Sequence, residues 1–182
     1  MKFPTVENSA FVMIDMQQKL LPAMSNSQQI LERNMLLLNA AAVLNMDVLV
    51  TEQYPKGLGA TVPELSTWLG EKSIPVAKTG FSVFCSPEFQ AKLLERKREV
   101  LIFFGIEAHV CVLQSVLDAV AGGYEVIVVA DAVSSRKTAD CERALDMMRD
   151  QGVSVLNSES VLFMLLRDAA HPAFKAISKL IK

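Results

Sequence analysis

The stretch that most constrains the fold begins with an unbroken apolar run at residues 100–104 and ends at Cys111. The run VLIFF is β-branched and aromatic and shows no polar alternation, which is typical of a strand buried on both faces of a sheet. Gly105 is expected to end this strand, and apolar residues recur at helical spacing from about Val110 onward. Cys111 is therefore predicted to lie where a buried strand gives way to a helix.

This predicted position gives Cys111 chemical significance. The first backbone N–H groups of a helix are unpaired, and the helix N-terminus carries a partial positive charge. A thiol in that place is expected to have a lowered pKa and to supply a thiolate near neutral pH. Active sites of α/β sheets also lie just beyond the carboxyl ends of strands. The pattern thus favours a cysteine nucleophile.

Short apolar runs alternate with amphipathic helical patterns along the whole chain. Besides the run at 100–104, strands are predicted at residues 10–14, 47–51, 74–77, 125–130 and 153–156. The sequence contains no linker, repeat or low-complexity tract, and its length suits a single domain over residues 1–182. The alternation predicts an α/β fold with a six-stranded, mostly parallel sheet and helices on both faces. Ser25 or Ser27 is expected to cap the first helix.

Charge and hydropathy argue against several classes of protein. The net charge is -2 and the pI is about 5.7, so no overall basic field attracts nucleic acid or an acidic membrane surface. No apolar run approaches the length of about 18 residues that a transmembrane helix needs. Residues 1–15 lack the apolar core of a signal peptide. We expect a cytoplasmic protein that acts on a small molecule, without nucleic-acid or membrane partners.

Cysteine and histidine are too few to predict a metal site. The three cysteines form no CxxC pair, which argues against a disulfide framework and against structural zinc. The histidines are His109 and His171 alone, too few for a histidine-based metal centre. No GxGxxG or GxxxxGK[ST] motif is present. The sequence predicts no metal and no cofactor.

Three predicted strands are followed by reactive side chains. Asp15 follows the first strand, Lys78 the third and Cys111 the fourth. If these strands are neighbours in the sheet, the three side chains meet in one crevice. There a carboxylate can accept the thiol proton, an ammonium favours the thiolate, and backbone N–H groups can hold an oxyanion. Taken singly, each residue is more often a cap, a surface charge or a small core residue.

Other titratable residues are assigned simpler roles. Asp131 also follows a predicted strand, and it is expected to hold the next loop through backbone hydrogen bonds. His109 is two positions from Cys111, which places the two side chains about 200° apart on a helix and argues against a Cys–His dyad. His109 is expected at the pocket entrance or at an interface. Cys85 and Cys141 are expected to be structural.

Several blocks of the chain resemble the isochorismatase-like cysteine hydrolase superfamily, and within it the isochorismatase-domain-containing group of small single-domain proteins. The blocks are FVMIDMQQKLLPAM, VTEQYPKGLGATVPEL, VAKTGFSVF, LIFFGIEAHVCVLQSVLDAVAGGYEVIVVADAVSSR and HPAFKAISKLIK. The resemblance implies a three-layer αβα Rossmann-like sandwich with strand order 3-2-1-4-5-6. It also implies a triad of Asp15, Lys78 and Cys111, a cis peptide bond between Ile106 and Glu107, and an oxyanion hole formed by the backbone N–H groups of Glu107 and Cys111.

Two departures from the superfamily narrow the expected activity. The nicotinamidase branch binds a metal through an Asp/His cluster in the loop after the second strand, but here that loop reads EQYPKGLG and has no histidine. Isochorismatases that cut a vinyl ether generally lack the nucleophilic cysteine, whereas this chain has Cys111. Cleavage of a small amide or related C–N bond through a thioester fits best. The alternative is a non-catalytic binding or interaction protein on the same scaffold.

The substrate pocket is predicted from residues next to the triad. Its walls are expected to be Met16, Gln17, Gln53, Tyr54, Phe81 and His109. Active sites in this superfamily are often completed at a subunit interface. The resemblance therefore implies a homo-oligomer, a dimer or larger.

Overall fold

A parallel sheet forms the centre of the computed structural model, which describes residues 2–70 and 73–182. Within these residues the strands are β1 (Ser9–Ile14), β2 (Asp47–Gln53), β3 (Val76–Lys78), β4 (Val100–Ile106), β5 (Glu125–Ser134) and β6 (Ser154–Leu156). Their order in the sheet is β3-β2-β1-β4-β5-β6, and every neighbouring pair is parallel. The predicted α/β architecture and strand order are confirmed.

Helices connect the strands. Those in the described residues are α1 (Ser27–Leu44), α2 (Pro55–Leu58), α3 (Pro63–Leu69), α4 (Pro87–Arg96), α5 (Leu113–Ala121), α6 (Thr138–Asp150), α7 (Ser158–Leu166) and α8 (Phe174–Ile181). Short 3₁₀ turns lie at Leu21–Ala23 and Val83–Cys85, and a π-helical turn lies at Ala108–Val112. Considered over the described chain, no helix combines the length and the apolar character needed to cross a bilayer.

Each face of the sheet is covered by its own apolar core. Side chains of β1 alternate between them, with Phe11 and Met13 in one core and Val12 and Ile14 in the other. Helices α1, α3, α7 and α8 contribute to the first core, and α4, α5 and α6 contribute to the second. Burial on both faces explains why β1 and β4 are apolar without alternation. The result is a three-layer sandwich.

The strand register brings the carboxyl ends of β1 to β4 to one edge of the sheet. Ile14 lies opposite Thr51 of β2 and Gly105 of β4. Gln53 at the end of β2 lies opposite Lys78 at the end of β3. Side chains that follow Ile14 therefore lie beside those that end the neighbouring strands.

Gly105 does not end its strand, contrary to the prediction. β4 continues to Ile106, and its pairing with β5 shifts register between Phe103 and Gly105. Gly105 has φ +108°, and a Cβ atom there would lie 2.2 Å from the carbonyl oxygen of Ile14. Only glycine allows the two strands to approach this closely.

Two further local predictions are wrong. β5 runs on to Ser134, so Asp131 lies inside the strand, and its carboxylate accepts hydrogen bonds from the backbone N–H and the hydroxyl of Ser158, both at 2.7 Å. Asp131 thus holds the start of α7 and not the loop that follows β5. At α1 the capping position is Asn26, whose side chain makes no capping hydrogen bond because its oxygen accepts one from Ser134.

Candidate active site

Asp15 follows β1 and is fully buried. Its backbone is left-handed, with φ 51°, and its N–H donates to the Thr51 carbonyl at 3.2 Å. The Thr51 hydroxyl donates to Oδ1 at 2.7 Å, and the Lys78 ammonium donates to Oδ2 at 2.7 Å. Both carboxylate oxygens are therefore held in fixed positions.

Lys78 ends β3, and its ammonium points into the protein. Besides Asp15, the Nζ atom donates to Oε1 of Gln53 at 2.7 Å and to the carbonyl of Phe81 at 3.0 Å. The side chains of Lys78 and Asp15 are 1% and 0% exposed, respectively. A buried pair is tolerated only when hydrogen bonds satisfy both partners, and this network meets that condition.

Cys111 lies in the π-helical turn that joins β4 to α5. The Glu107 carbonyl accepts hydrogen bonds from the N–H groups of Val110 and Val112, on either side of Cys111. The Ser115 hydroxyl donates to the Cys111 carbonyl at 2.6 Å and accepts the Val83 N–H at 3.0 Å. Cys111 thus lies where β4 gives way to a helix, as predicted, but in a π turn that precedes α5, which begins at Leu113. Single π turns occur frequently at functional sites.

The electrostatics of the Cys111 thiol differ from the prediction. Burial raises its pKa to about 12, the negative charge of Asp15 adds to the rise, and the positive charge of Lys78 opposes it. The expected lowered pKa is wrong because Cys111 is only 5% exposed, so that desolvation outweighs the lysine. The structure thus brings the three residues together around a protonated thiol.

Glu107 lies between β4 and the Cys111 turn. The peptide bond that joins Ile106 to Glu107 is cis, as the resemblance implies. The Glu107 carboxylate accepts hydrogen bonds from the Nε and the backbone N–H of Arg136, at 3.0 and 3.3 Å. These contacts fix the segment just before the Cys111 turn.

A cavity of about 450 Å³ adjoins Lys78. Tyr54, one of the predicted pocket residues, lines it and is half-exposed. Phe81 is also half-exposed, and its carbonyl holds Lys78. His109 is partly buried, with Nδ1 2.8 Å from the Ser135 hydroxyl.

Three other predicted pocket residues belong to the supporting structure. Met16 and Gln17 were predicted to form pocket walls. This prediction is wrong, because neither residue has any exposed surface. Met16 packs in the apolar core, and the Gln17 amide bonds to the backbone N–H and carbonyl of Gln53 and to the carbonyl of Gly59. The Gln53 side chain holds Lys78 through Oε1 and the Thr79 carbonyl through Nε2, which makes Gln53 a positioning residue.

Sequence reasoning missed Thr51 and Ser115. Thr51 ends the predicted second strand, and the signal was a hydroxyl at the carboxyl end of the strand next to β1. Ser115 is fully buried on the apolar face of α5, between Val112 and Val116. A buried hydroxyl on such a face needs a hydrogen-bond partner, and that requirement pointed to the Cys111 turn. In the part of the chain that is described, no group of three or more His, Cys, Asp or Glu is placed to hold a metal ion.

Comparison with known proteins identifies the family. The isochorismatase domain matches residues 9–160. Isochorismatase domain-containing protein 2A of mouse is 42% identical over 97% of this chain and 84% of its own length. Isochorismatase domain-containing protein 1 of zebrafish is 41% identical over 96% of this chain, which spans only 61% of that protein.

Solved structures agree with this relationship. The MAR1 ribonuclease of Caenorhabditis elegans superimposes with a TM-score of 0.92 at 40% identity, over 98% of this chain and 91% of that one. YcaC of Escherichia coli, described as an octameric hydrolase of unknown specificity, has a TM-score of 0.92 at 22% identity, over 100% of this chain and 90% of its own, and shows the shared fold alone. Together the domain match, the relatives and the fold establish that the chain belongs to the isochorismatase domain family.

Proposed function

We propose that this protein is a cysteine hydrolase that cleaves a small amide or related C–N bond through a thioester. The observation that carries the proposal is the buried Asp15–Lys78 ion pair, whose two charges both act on the Cys111 thiol. A buried ion pair adds little stability over apolar residues of the same size. Its position beside a nucleophile at the carboxyl edge of the sheet therefore supports a chemical role.

The first half of the proposed reaction forms the thioester. The protonated Cys111 thiol gives its proton to Asp15 as sulfur attacks the substrate carbonyl carbon. Lys78 offsets the negative charge that forms on sulfur, and the backbone N–H groups of Glu107 and Cys111 stabilise the oxyanion. The C–N bond then breaks, and the proton held by Asp15 passes to the departing amine.

The second half regenerates the enzyme with water. Asp15 accepts a proton from a water molecule as its oxygen attacks the thioester carbonyl carbon. The C–S bond breaks, the carboxylic acid leaves, and the proton on Asp15 returns to Cys111. The same carboxylate thus serves as base and acid in each half, which accords with its fixed position between Thr51 and Lys78.

Acyl-enzyme trapping tests this proposal. The protein is incubated with a panel of small primary amides and ureido acids, ammonia release is followed, and acid-quenched samples are analysed by intact mass spectrometry. We expect turnover and an acyl adduct on Cys111, both lost in Cys111→Ser. Cys141→Ser removes a free thiol that does not line the cavity and is the matched control, which should keep both. If the adduct forms on Cys85, or if Cys111→Ser still releases ammonia, the mechanism is wrong.

A binding or interaction protein on the same scaffold is the second candidate. It is favoured by one observation, the high pKa and low exposure of the Cys111 thiol, since a binding module needs no ready thiolate. The same trapping experiment separates the two, because a binding protein gives no ammonia and no adduct. RNA is added to the panel since the nematode relative is named a ribonuclease. Cleavage of RNA that survives Cys111→Ser would replace the amidase proposal.

A further inference from the structure

The cavity beside Lys78 has the size and composition of a small-molecule site. Its volume of about 450 Å³ falls in the range of about 300–1,000 Å³ that is usual for ligand pockets. Its walls combine an aromatic ring, two prolines and small residues with a few polar groups. The lining residues are Tyr54, Pro55, Lys56, Ala77, Lys78, Thr79, Gly80, Cys85, Ser86 and Pro87.

The charged side chains that line the cavity are all positive. Among the described side chains that line it, Lys56 and Lys78 are charged and none is acidic. Lys78 is neutralised by Asp15, but no carboxylate of residues 2–70 or 73–182 pairs with Lys56. The Lys19 ammonium adds a third positive charge nearby, because it donates to the Gly57 carbonyl next to Lys56 at 2.8 Å. An anionic group entering the cavity therefore meets the Lys56 ammonium, with which none of the described carboxylates pairs.

The segment that carries Lys56 is held in a fixed shape. Tyr54 adopts a left-handed conformation with φ 37°, and its N–H donates to the Lys78 carbonyl at 2.8 Å. Its ring lies across Gly57, where an added Cβ atom would be only 2.4 Å from the ring. These contacts tie α2 to the end of β3. Lys56 and Lys78 thus line the same cavity from two connected elements, although the Lys78 ammonium is directed at Asp15.

We propose that Lys56 is a specificity residue that binds a carboxylate on the substrate. The inference rests on the proposed function, and it narrows the substrate class to short amides that carry a carboxylate on the acyl side. The carboxylate would lie at Lys56, the intervening carbons against Tyr54 and the prolines, and the reacting carbonyl at the Lys78 side of the cavity, next to the Asp15–Lys78 pair. An ammonium recognises such a group as a point charge through charge-assisted hydrogen bonds.

Two matched amides test this inference. Succinamate has a carboxylate at the end opposite its amide, and butyramide is its uncharged counterpart of similar length. We expect the ratio of kcat/KM for succinamate to that for butyramide to fall about tenfold in Lys56→Met, through KM, as loss of one charge-assisted hydrogen bond predicts. Lys56→Arg should keep most of the ratio. Lys175→Met, which removes an exposed lysine on α8, is the matched control.

A binding measurement separates failure of this inference from failure of the proposed function. Succinate is titrated calorimetrically into Cys111→Ala with and without Lys56→Met, so that no turnover is needed. Lys56-dependent binding without hydrolysis of any amide supports the carboxylate site and overturns the hydrolase. Hydrolysis with an unchanged ratio in Lys56→Met overturns the carboxylate site and leaves the hydrolase. Absence of both Lys56-dependent binding and discrimination overturns the inference whatever the turnover.

Discussion

At the scale of single residues, the resting site contains a protonated Cys111 thiol and not a thiolate. Burial and the charge of Asp15 keep the Cys111 thiol protonated, and Lys78 only partly offsets them. Under the proposed mechanism, Asp15 therefore has two opposed effects on Cys111. Its charge disfavours the thiolate in the resting protein, yet it would remove the thiol proton when substrate arrives. This opposition would give a catalytic triad a signature that a structural cluster lacks.

Asp15→Asn should separate the two effects. Because the Asp15 charge raises the pKa of Cys111, the neutral amide should lower it. A fall of about one in that pKa gives about ten times more thiolate at pH 9. We expect faster alkylation of Cys111 by iodoacetamide at pH 9, measured by peptide mass spectrometry, together with loss of amide hydrolysis. The exposed Cys85 thiol is the internal control and should react at an unchanged rate. A Cys111 rate that does not change relative to Cys85 would contradict the assigned interaction.

The same pKa predicts a loss of stability in alkali. The pKa of Cys111 is about 12 in the folded protein and about 8.5 for a thiol in the unfolded chain. Its contribution to stability is therefore complete below about pH 8.5 and is lost progressively as the pH rises towards 12. Urea unfolding between pH 8 and 10.5 should give a flatter pH dependence for Cys111→Ala than for the wild type. Cys85→Ser should keep the wild-type slope, and an equal slope in all three proteins would refute the assignment.

At this scale the sequence predicted where Asp15, Lys78 and Cys111 lie but not the environment of the Cys111 thiol. The strand ends placed Asp15, Lys78 and Cys111 at one edge, and the parallel register accounts for that. The thiol pKa could not be predicted, because desolvation depends on everything packed around the sulfur and not on neighbours in sequence. The role of Thr51 could not be predicted either, because its hydrogen bond to Asp15 depends on the register of β2 with β1.

At the scale of elements, contacts with α5 and with a neighbouring 3₁₀ turn hold the Cys111 turn in place. Ser115 of α5 connects the carbonyl of Cys111 to the N–H of Val83 in a neighbouring 3₁₀ turn. Helical periodicity indicated where this helix lies but not that it begins with a π turn, because that geometry follows from tertiary contacts such as the Ser115 bridge. The sequence likewise predicts that Gly105 ends its strand, because the close approach of β1 does not show in the local pattern.

Ser115→Ala should weaken both the fold and the reaction. Removing the hydroxyl leaves the buried Val83 N–H without its acceptor, which should lower the free energy of unfolding by about 1–3 kcal/mol. Loss of the hydrogen bond to the Cys111 carbonyl should also let the Cys111 turn shift, and kcat/KM should therefore fall for any amide that is hydrolysed. Urea denaturation and steady-state kinetics measure the two effects. Ser66→Ala, at an exposed position on α3, is the control and should change stability by less than about 0.5 kcal/mol. Equal behaviour of the two variants would remove Ser115 from the positioning role.

Gly105→Ala should disrupt the junction of β1 and β4. The new methyl group would meet the backbone of Ile14 at 2.2 Å, and the residue would keep a positive φ. We expect the free energy of unfolding to fall by more than about 4 kcal/mol, or no soluble protein to form. Gly152→Ala is the matched control, because φ is +80° there but the added carbon meets no described atom within 4 Å. Gly152→Ala should lower the free energy of unfolding by only about 1–2 kcal/mol. Similar losses in the two variants, measured by urea unfolding, would mean that backbone strain and not the clash determines the effect.

At the scale of the whole molecule, one sheet joins two apolar cores. β1 contributes alternate side chains to both, so neither core can separate without breaking the central strand. One domain over residues 1–182 stays a prediction, which the cooperativity of unfolding tests. Half-exposed Tyr54 and Phe81 lie near the candidate site, and the expectation of a homo-oligomer whose interface covers this region stays a prediction.

The shared sheet predicts a single cooperative unfolding transition. Trp68, the sole tryptophan of the sequence, packs on α3 against the first core, whereas far-UV circular dichroism reports helices on both faces. Because the cores share β1 and β4, guanidinium unfolding followed by Trp68 fluorescence and by circular dichroism should have the same midpoint. An earlier fluorescence transition would mean that the first core unfolds separately and would contradict the single domain. If the protein is a homo-oligomer, both midpoints should rise together with protein concentration. A common midpoint that is independent of concentration would identify a monomer, and Lys56 and Cys111 would then have to act within one chain.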